Sequence, residues 1–123
     1  MVYPRREARR RWHHNRAVDS RDFVALTFDP QSGHEQRGRR PALVVSNDLF
    51  NKATGLCIAC PVTNTRRDFP FHVPIPEGEA VTGVVMVEQV KSIDFRSRGI
   101  KRIGAAPEPV LEEVLSILDA CIY

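Results

Sequence analysis

The spacing of apolar residues changes once along this chain, and that change limits the folds open to it. Up to about residue 103 the apolar positions come in short, valine-rich runs broken by proline and glycine. Past Pro107 they follow a helical period. Val110, Leu111, Val114, Leu115, Leu118 and Ile122 share one face, Glu112, Ser116 and Asp119 lie opposite, and Pro107-Glu108 suits a helix start. Strands are predicted at residues 23–28, 41–46, 56–61, 71–75, 83–87, 90–93 and 96–103. In the first, Val24, Leu26 and Phe28 alternate onto one face. The run at 71–75 is flanked by Pro70 and Pro76, which marks an edge strand. A polar stretch at 47–54, with a turn of helix near its start, ends at Gly55. Several short strands and one terminal helix predict a mostly β (α+β) domain, a small bent antiparallel sheet or barrel with a C-terminal helix.

A length of 123 residues allows one domain. Its net charge of +3 is unevenly placed. Residues 1–21 hold seven arginines against two acids, and residues 22–102 hold eleven bases against nine acids. Residues 103–123 hold four acids and no base. Residues 1–20 read as a basic arm, disordered or a frayed helix, because nothing in them can bury a core face. The domain is expected to span 21–123. No apolar run approaches the roughly 18 residues of a membrane span, and no apolar h-region follows the N-terminal arginines. Three cysteines cannot all pair within one chain, so a reduced, cytoplasmic protein is the expectation.

The segment 29–40 is nearly devoid of apolar residues and places His34, Glu35, Arg37, Arg39 and Arg40 between two apolar strands. A loop of that length inside a small domain is usually functional or mobile. Arg40-Pro41 delivers a guanidinium to the mouth of a strand, where its planar fork suits a phosphate or carboxylate, although a solvated charged loop would look the same. Residues 61–65, Pro-Val-Thr-Asn-Thr, offer hydroxyl and amide groups that suit phosphate binding or an ordinary turn. Cys57 and Cys60 form a CxxC, but residues three apart on a strand point to opposite faces, so buried, inert thiols are expected rather than a metal or redox site. Of four histidines only His34 sits among charged groups, as a candidate acid or base. Arg96, Arg98, Lys101 and Arg102 form a second basic cluster, with Arg96 and Arg98 expected on one face of a strand, either a solvated edge or a phosphate-tracking surface. No motif asks for a cofactor or a metal.

The order of these pieces is specific. Asp22-Phe23-Val24 leads to Phe28-Asp29-Pro30, then Gly33-His34-Glu35-Gln36 and Gly38-Arg39-Arg40-Pro41-Ala42-Leu43-Val44. Asn51-Lys52-Ala53-Thr54-Gly55-Leu56, Cys60-Pro61-Val62-Thr63, Phe69-Pro70-Phe71 and Gly83-Val84-Val85 follow, the last running into Glu88-Gln89-Val90-Lys91-Ser92. From Asp22 onward the chain resembles the MazF/PemK family of toxin endoribonucleases, including its ChpB branch. The resemblance implies an SH3-like barrel with a C-terminal helix that works as a homodimer and cleaves single-stranded RNA without metal or cofactor. It implies Arg40 and Thr63 as catalytic residues and Glu35 as the family's loop glutamate. His34, Arg37, Arg39, Gln89, Lys91, Arg96 and Arg98 are then candidate RNA contacts. It also implies a cognate antitoxin, MazE/PemI-like, whose acidic segment covers the RNA site. Two departures stand out: Arg21 and Ala25 replace the family's usual glycine and large aromatic. Two other readings are a gyrase-binding toxin of the CcdB type and a non-catalytic RNA-binding module.

Overall fold

The computed structural model describes residues 18–26, 40–65 and 68–123. His34, Glu35, Arg37, Arg39 and most of the N-terminal arm lie outside the described residues. Among the described residues, seven strands and three helices follow in order: β1 (Asp22–Leu26), β2 (Arg40–Val44), α1 (Asp48–Thr54), β3 (Leu56–Thr63), β4 (His72–Pro74), β5 (Val84–Met86), β6 (Lys91–Asp94), α2 (Phe95–Arg98), β7 (Lys101–Ala105) and α3 (Glu108–Ile122). A 3-10 turn at Val87–Gln89 joins β5 to β6.

The strands form one antiparallel sheet in the order β4-β5-β3-β2-β1-β7, with β6 also paired to β3. β3 is its hub. One edge of β3 meets β2, pairing Ala42 with Pro61 and Val44 with Ala59. The other meets β6 along Leu56–Ala59 and β5 at Val62 and Thr63. The expected bent antiparallel sheet with its C-terminal helix is present. The pairing among the described residues is an open path from β4 to β7 rather than a closed ring. Pro74 in β4 and Pro76 just beyond it lack the N–H that further ladder pairing needs.

Strand periodicity feeds two cores. Phe23, Leu43, Cys60 and Val62 pack with Val73, Val85, Val110 and Val114 on one side of the sheet. Val24, Leu26, Ala42, Val44, Cys57 and Ala59 pack with Val18 and Ile93 on the other. β1 was expected to bury one face; Phe23, Val24 and Leu26 are all fully buried, so it buries both. The folded body reaches back to Val18, whose carbonyl accepts from the buried Asn51 Nδ2 at 2.7 Å. Asp19 Oδ1 accepts from the Asp48 amide at 2.9 Å.

The predicted strand over 96–103 is corrected. Residues 95–98 form α2, and only Lys101–Ala105 is strand. Asp94 caps this short helix, accepting from Ser97 N at 3.1 Å and Ser97 Oγ at 2.8 Å, and Gly99 ends it in the left-handed region at φ 62°. Arg96 and Arg98 therefore do not alternate on a strand face. In α1 the sequence reading holds: Asn47 accepts from Phe50 N at 2.9 Å, and Gly55 closes the helix at φ 77°.

Candidate active-site cleft

β2 begins at Arg40 and β3 ends at Thr63, and their antiparallel register brings both residues to the same end of the sheet. There they line a cleft of about 550 Å³. The 3-10 turn after β5 supplies Glu88 and Gln89 from the opposite edge of β3, and the approach to β4 supplies Phe69 and His72. The walls thus come from both sides of one central strand.

Thr63 is held in a defined hydrogen-bonding state. Its hydroxyl oxygen accepts from the Thr65 amide at 3.1 Å, which leaves the O–H free to donate into the cleft. Its backbone is pinned by Gly83: at φ 118°, a Cβ on that residue would clash with the Thr63 carbonyl. Close approach of β5 to the end of β3 is possible only because residue 83 lacks a side chain.

A second polar pair lines the same cleft. His72 Nε2 lies 3.0 Å from Glu88 Oε2, with the imidazole only 6% exposed and the carboxylate 29%. Phe69 stands edge-on to His72 (4.9 Å, 84°) and to Phe71 (5.4 Å, 65°), and is itself exposed at the rim. Asp68 and Thr65 complete the polar lining, with Met86 contributing an apolar patch. A guanidinium, a hydroxyl donor and a carboxylate around a solvent-open hollow beside an exposed ring suit a phosphodiester with its bases.

Residues 19–122 match the family model described as PemK-like, MazF-like toxin of type II toxin-antitoxin system. The chain belongs to this family. The ChpB endoribonuclease toxin of Escherichia coli K12 is 46% identical over 107 residues, covering 82% of this chain and 90% of that protein. The MazF endoribonuclease toxin of the same strain is 42% identical over 91 residues, covering 73% and 81%. Among solved structures, the MazE–MazF complex from Deinococcus radiodurans superposes with a TM-score of 0.76 at 39% identity, over 86% of this chain and 95% of that one. These matches do not favour the gyrase-binding alternative.

Of the toxin's residues singled out from sequence, the structure brings Arg40, Thr63 and Gln89 to one cleft. It does not bring Arg96, Arg98 or Lys91 there. The Arg96 guanidinium packs beside Phe95 and donates to the Lys52 carbonyl at 2.7 Å, at the far end of β3. Lys91 pairs opposite Ala59 in β6. The two thiols stay apart, Cys57 in one core and Cys60 in the other. Burial pushes Cys57 up to about 11. Burial, with the nearby Glu88 charge, pushes Cys60 up to about 12.

His72 and Glu88 are the functional candidates that sequence reasoning missed. The histidine looked like an alternating residue of an edge strand, and the acid like part of a motif block. A signal was available: a histidine one residue past the Phe-Pro-Phe block, beside an edge, with an acid just after the next predicted strand.

No helix among the described residues is long and apolar enough to cross a membrane.

Proposed function

We propose that this toxin is a metal-independent, sequence-specific endoribonuclease that cleaves single-stranded RNA, mRNA included, and so arrests translation and growth. The observation that carries the reading is the shared cleft of Arg40 and Thr63, in a chain whose relatives ChpB and MazF are named endoribonuclease toxins. RNA contains its own nucleophile, so the protein's task is alignment and charge stabilisation. The ribose 2′-oxygen attacks the adjacent phosphorus, the P–O5′ bond breaks, and the products carry a 2′,3′-cyclic phosphate and a 5′-hydroxyl. Negative charge grows on the non-bridging oxygens as the fifth ligand forms. The planar fork of Arg40 and the O–H of Thr63 stabilise that charge more than they stabilise the ground state. Glu35 stands as a candidate for the catalytic set, with His34, Arg37 and Arg39 of the same 29–40 segment as RNA contacts. Gln89 and the exposed Phe69 ring suit contacts to unstacked bases.

The toxin works in the cytoplasm as a homodimer, held inactive by a cognate antitoxin of the MazE/PemI kind. The Deinococcus radiodurans relative was solved as a MazE–MazF complex, which supports such a partner. An acidic antitoxin segment laid over Arg40 would occupy the position of the RNA phosphate.

Incubating the purified toxin with a long RNA in EDTA and mapping the ends tests the reading. Discrete cuts with 2′,3′-cyclic phosphate ends are expected. Arg40→Ala and Thr63→Ala should each lose on the order of 100-fold or more in rate while staying folded. Wild-type rates in either variant would remove that residue from catalysis.

A further inference from the structure

We propose that His72 is a positioning residue that holds Glu88 as the proton acceptor for the ribose 2′-hydroxyl. The proposal rests on the ribonuclease reading and deepens it. Backbone geometry fixes the two residues together. His72 pairs with Met86 across β4 and β5, His72 N donates to Phe69 O, and Val87 N donates to Phe71 O, each of the last two at 3.1 Å. The 3-10 turn then swings Glu88 back over the imidazole, whose Nε2 meets Oε2 at 3.0 Å.

Burial selects the tautomer. His72 Nδ1 is buried and has no hydrogen-bond partner among the described residues. A buried N–H without an acceptor is costlier than an unused lone pair, so the proton belongs on Nε2, where it donates to the carboxylate. One Glu88 oxygen is thereby clamped and the other is left for substrate, in the cleft that Arg40 and Thr63 also line. In the reaction Glu88 takes the 2′-hydroxyl proton, the O2′–P bond forms, the P–O5′ bond breaks, and the departing 5′-oxygen takes a proton from water. His72 changes no bond; it fixes where the accepting oxygen stands. A phenylalanine would fill the same apolar niche beside Phe69, so packing alone does not call for an imidazole.

The test is steady-state cleavage of an RNA oligonucleotide containing the toxin's mapped site, by folded, purified variants. His72→Phe keeps the packing and removes the donor; kcat should fall about 10- to 100-fold with KM little changed. His72→Gln, which can present an amide N–H near the Nε2 position, should retain most activity. Glu88→Gln should lose activity, and adding His72→Phe to it should cost nothing more, since the histidine acts only through the carboxylate. His72→Phe with the wild-type kcat, or losses that multiply in the double variant, would overturn the proposal. If His72→Phe does not fold, His72→Gln decides: near-wild-type kcat supports the clamp, and a loss as large as that of Glu88→Gln sinks it. A wild type that cuts no RNA overturns the ribonuclease reading and the proposal together. A wild type that cuts, fails as Arg40→Ala, and is indifferent to His72→Phe loses only the proposal.

Discussion

The Arg96 guanidinium donates to the Lys52 carbonyl oxygen at 2.7 Å. That contact closes the C-terminal end of α1 with a cation, and Gly55 makes room for it, since a Cβ there would lie 3.1 Å from Arg96 Nη1. Arg96→Ala should therefore lower the unfolding free energy by about 1 kcal/mol while leaving the RNA cleavage rate of folded molecules unchanged. Urea denaturation beside a cleavage assay checks both halves. A drop in RNA affinity at unchanged stability would return Arg96 to the RNA surface.

Arg21 sits at φ 77°, the one positive φ outside glycine among the described residues. The glycine usual at this position in the resembling family is explained by that angle. This chain tolerates arginine because Nε donates to the Ala106 carbonyl at 3.0 Å and Nη1 reaches Glu108 at 3.7 Å. Both Arg21→Ala and Arg21→Gly lose those contacts, but only glycine relieves the strain. The glycine variant should be the more stable of the two by about 1 kcal/mol, measured as a difference in thermal or urea midpoints. Equal stability would mean the backbone there carries no strain.

Cys57 and Cys60 ionise at about 11 and about 12 in the fold, against an ordinary value of 9.0. Below pH 9 folded and unfolded chains bind the same thiol protons. Between 9 and 11 the unfolded chain releases them first, so stability falls as pH rises, by up to about 1.4 kcal/mol per pH unit for each thiol. Urea unfolding at pH 8 and pH 10 should show that loss, and it should shrink in Cys57→Ala. At pH 8 a thiol reagent should modify the exposed Cys121 quickly and the two buried cysteines only on unfolding.

Arg40→Lys keeps the charge and loses the fork. If transition-state oxygens are gripped by paired N–H groups, lysine should rescue RNA binding but recover little of the roughly 100-fold or greater loss in rate expected for alanine. Single-turnover cleavage with binding measured separately distinguishes the two. Full rescue by lysine would reduce the role of Arg40 to that of a point charge.

Gly83→Ala places a methyl group against the Thr63 carbonyl. β5 must move away from the end of β3, so stability should fall by about 1–3 kcal/mol and cleavage should drop beyond what the unfolded fraction explains. Activity per folded molecule, corrected by circular dichroism, is the readout.

Most of the strand positions and the terminal helix could be read from the sequence because period and punctuation agreed there. Valine-rich runs bounded by proline and glycine became strands, and the face of Val110, Leu111 and Val114 became the buried side of α3. The alternation argument that kept Cys57 from Cys60 held because it is pure strand geometry. Residues 95–98 escaped because Asp94 and Gly99 cap a single helical turn, too short to impose a period on the sequence. Arg40 and Thr63 were visible as motif members, but their convergence depends on register across β2 and β3, which local patterns do not encode. The pairing of His72 with Glu88 is harder still, since it needs β4 beside β5 and a 3-10 turn of the right hand.

The side chains around the cleft divide into those the cores hold and those they do not. Thr65, Asp68, Phe69 and Gln89 are exposed, and none belongs to either apolar cluster. Substitutions at such positions usually shift stability by no more than about 0.5 kcal/mol. Substitution can therefore vary this rim while the strands beneath keep Arg40 and Thr63 in place. The cleft's rim is thus free to change in chemistry at little cost to the fold that carries it.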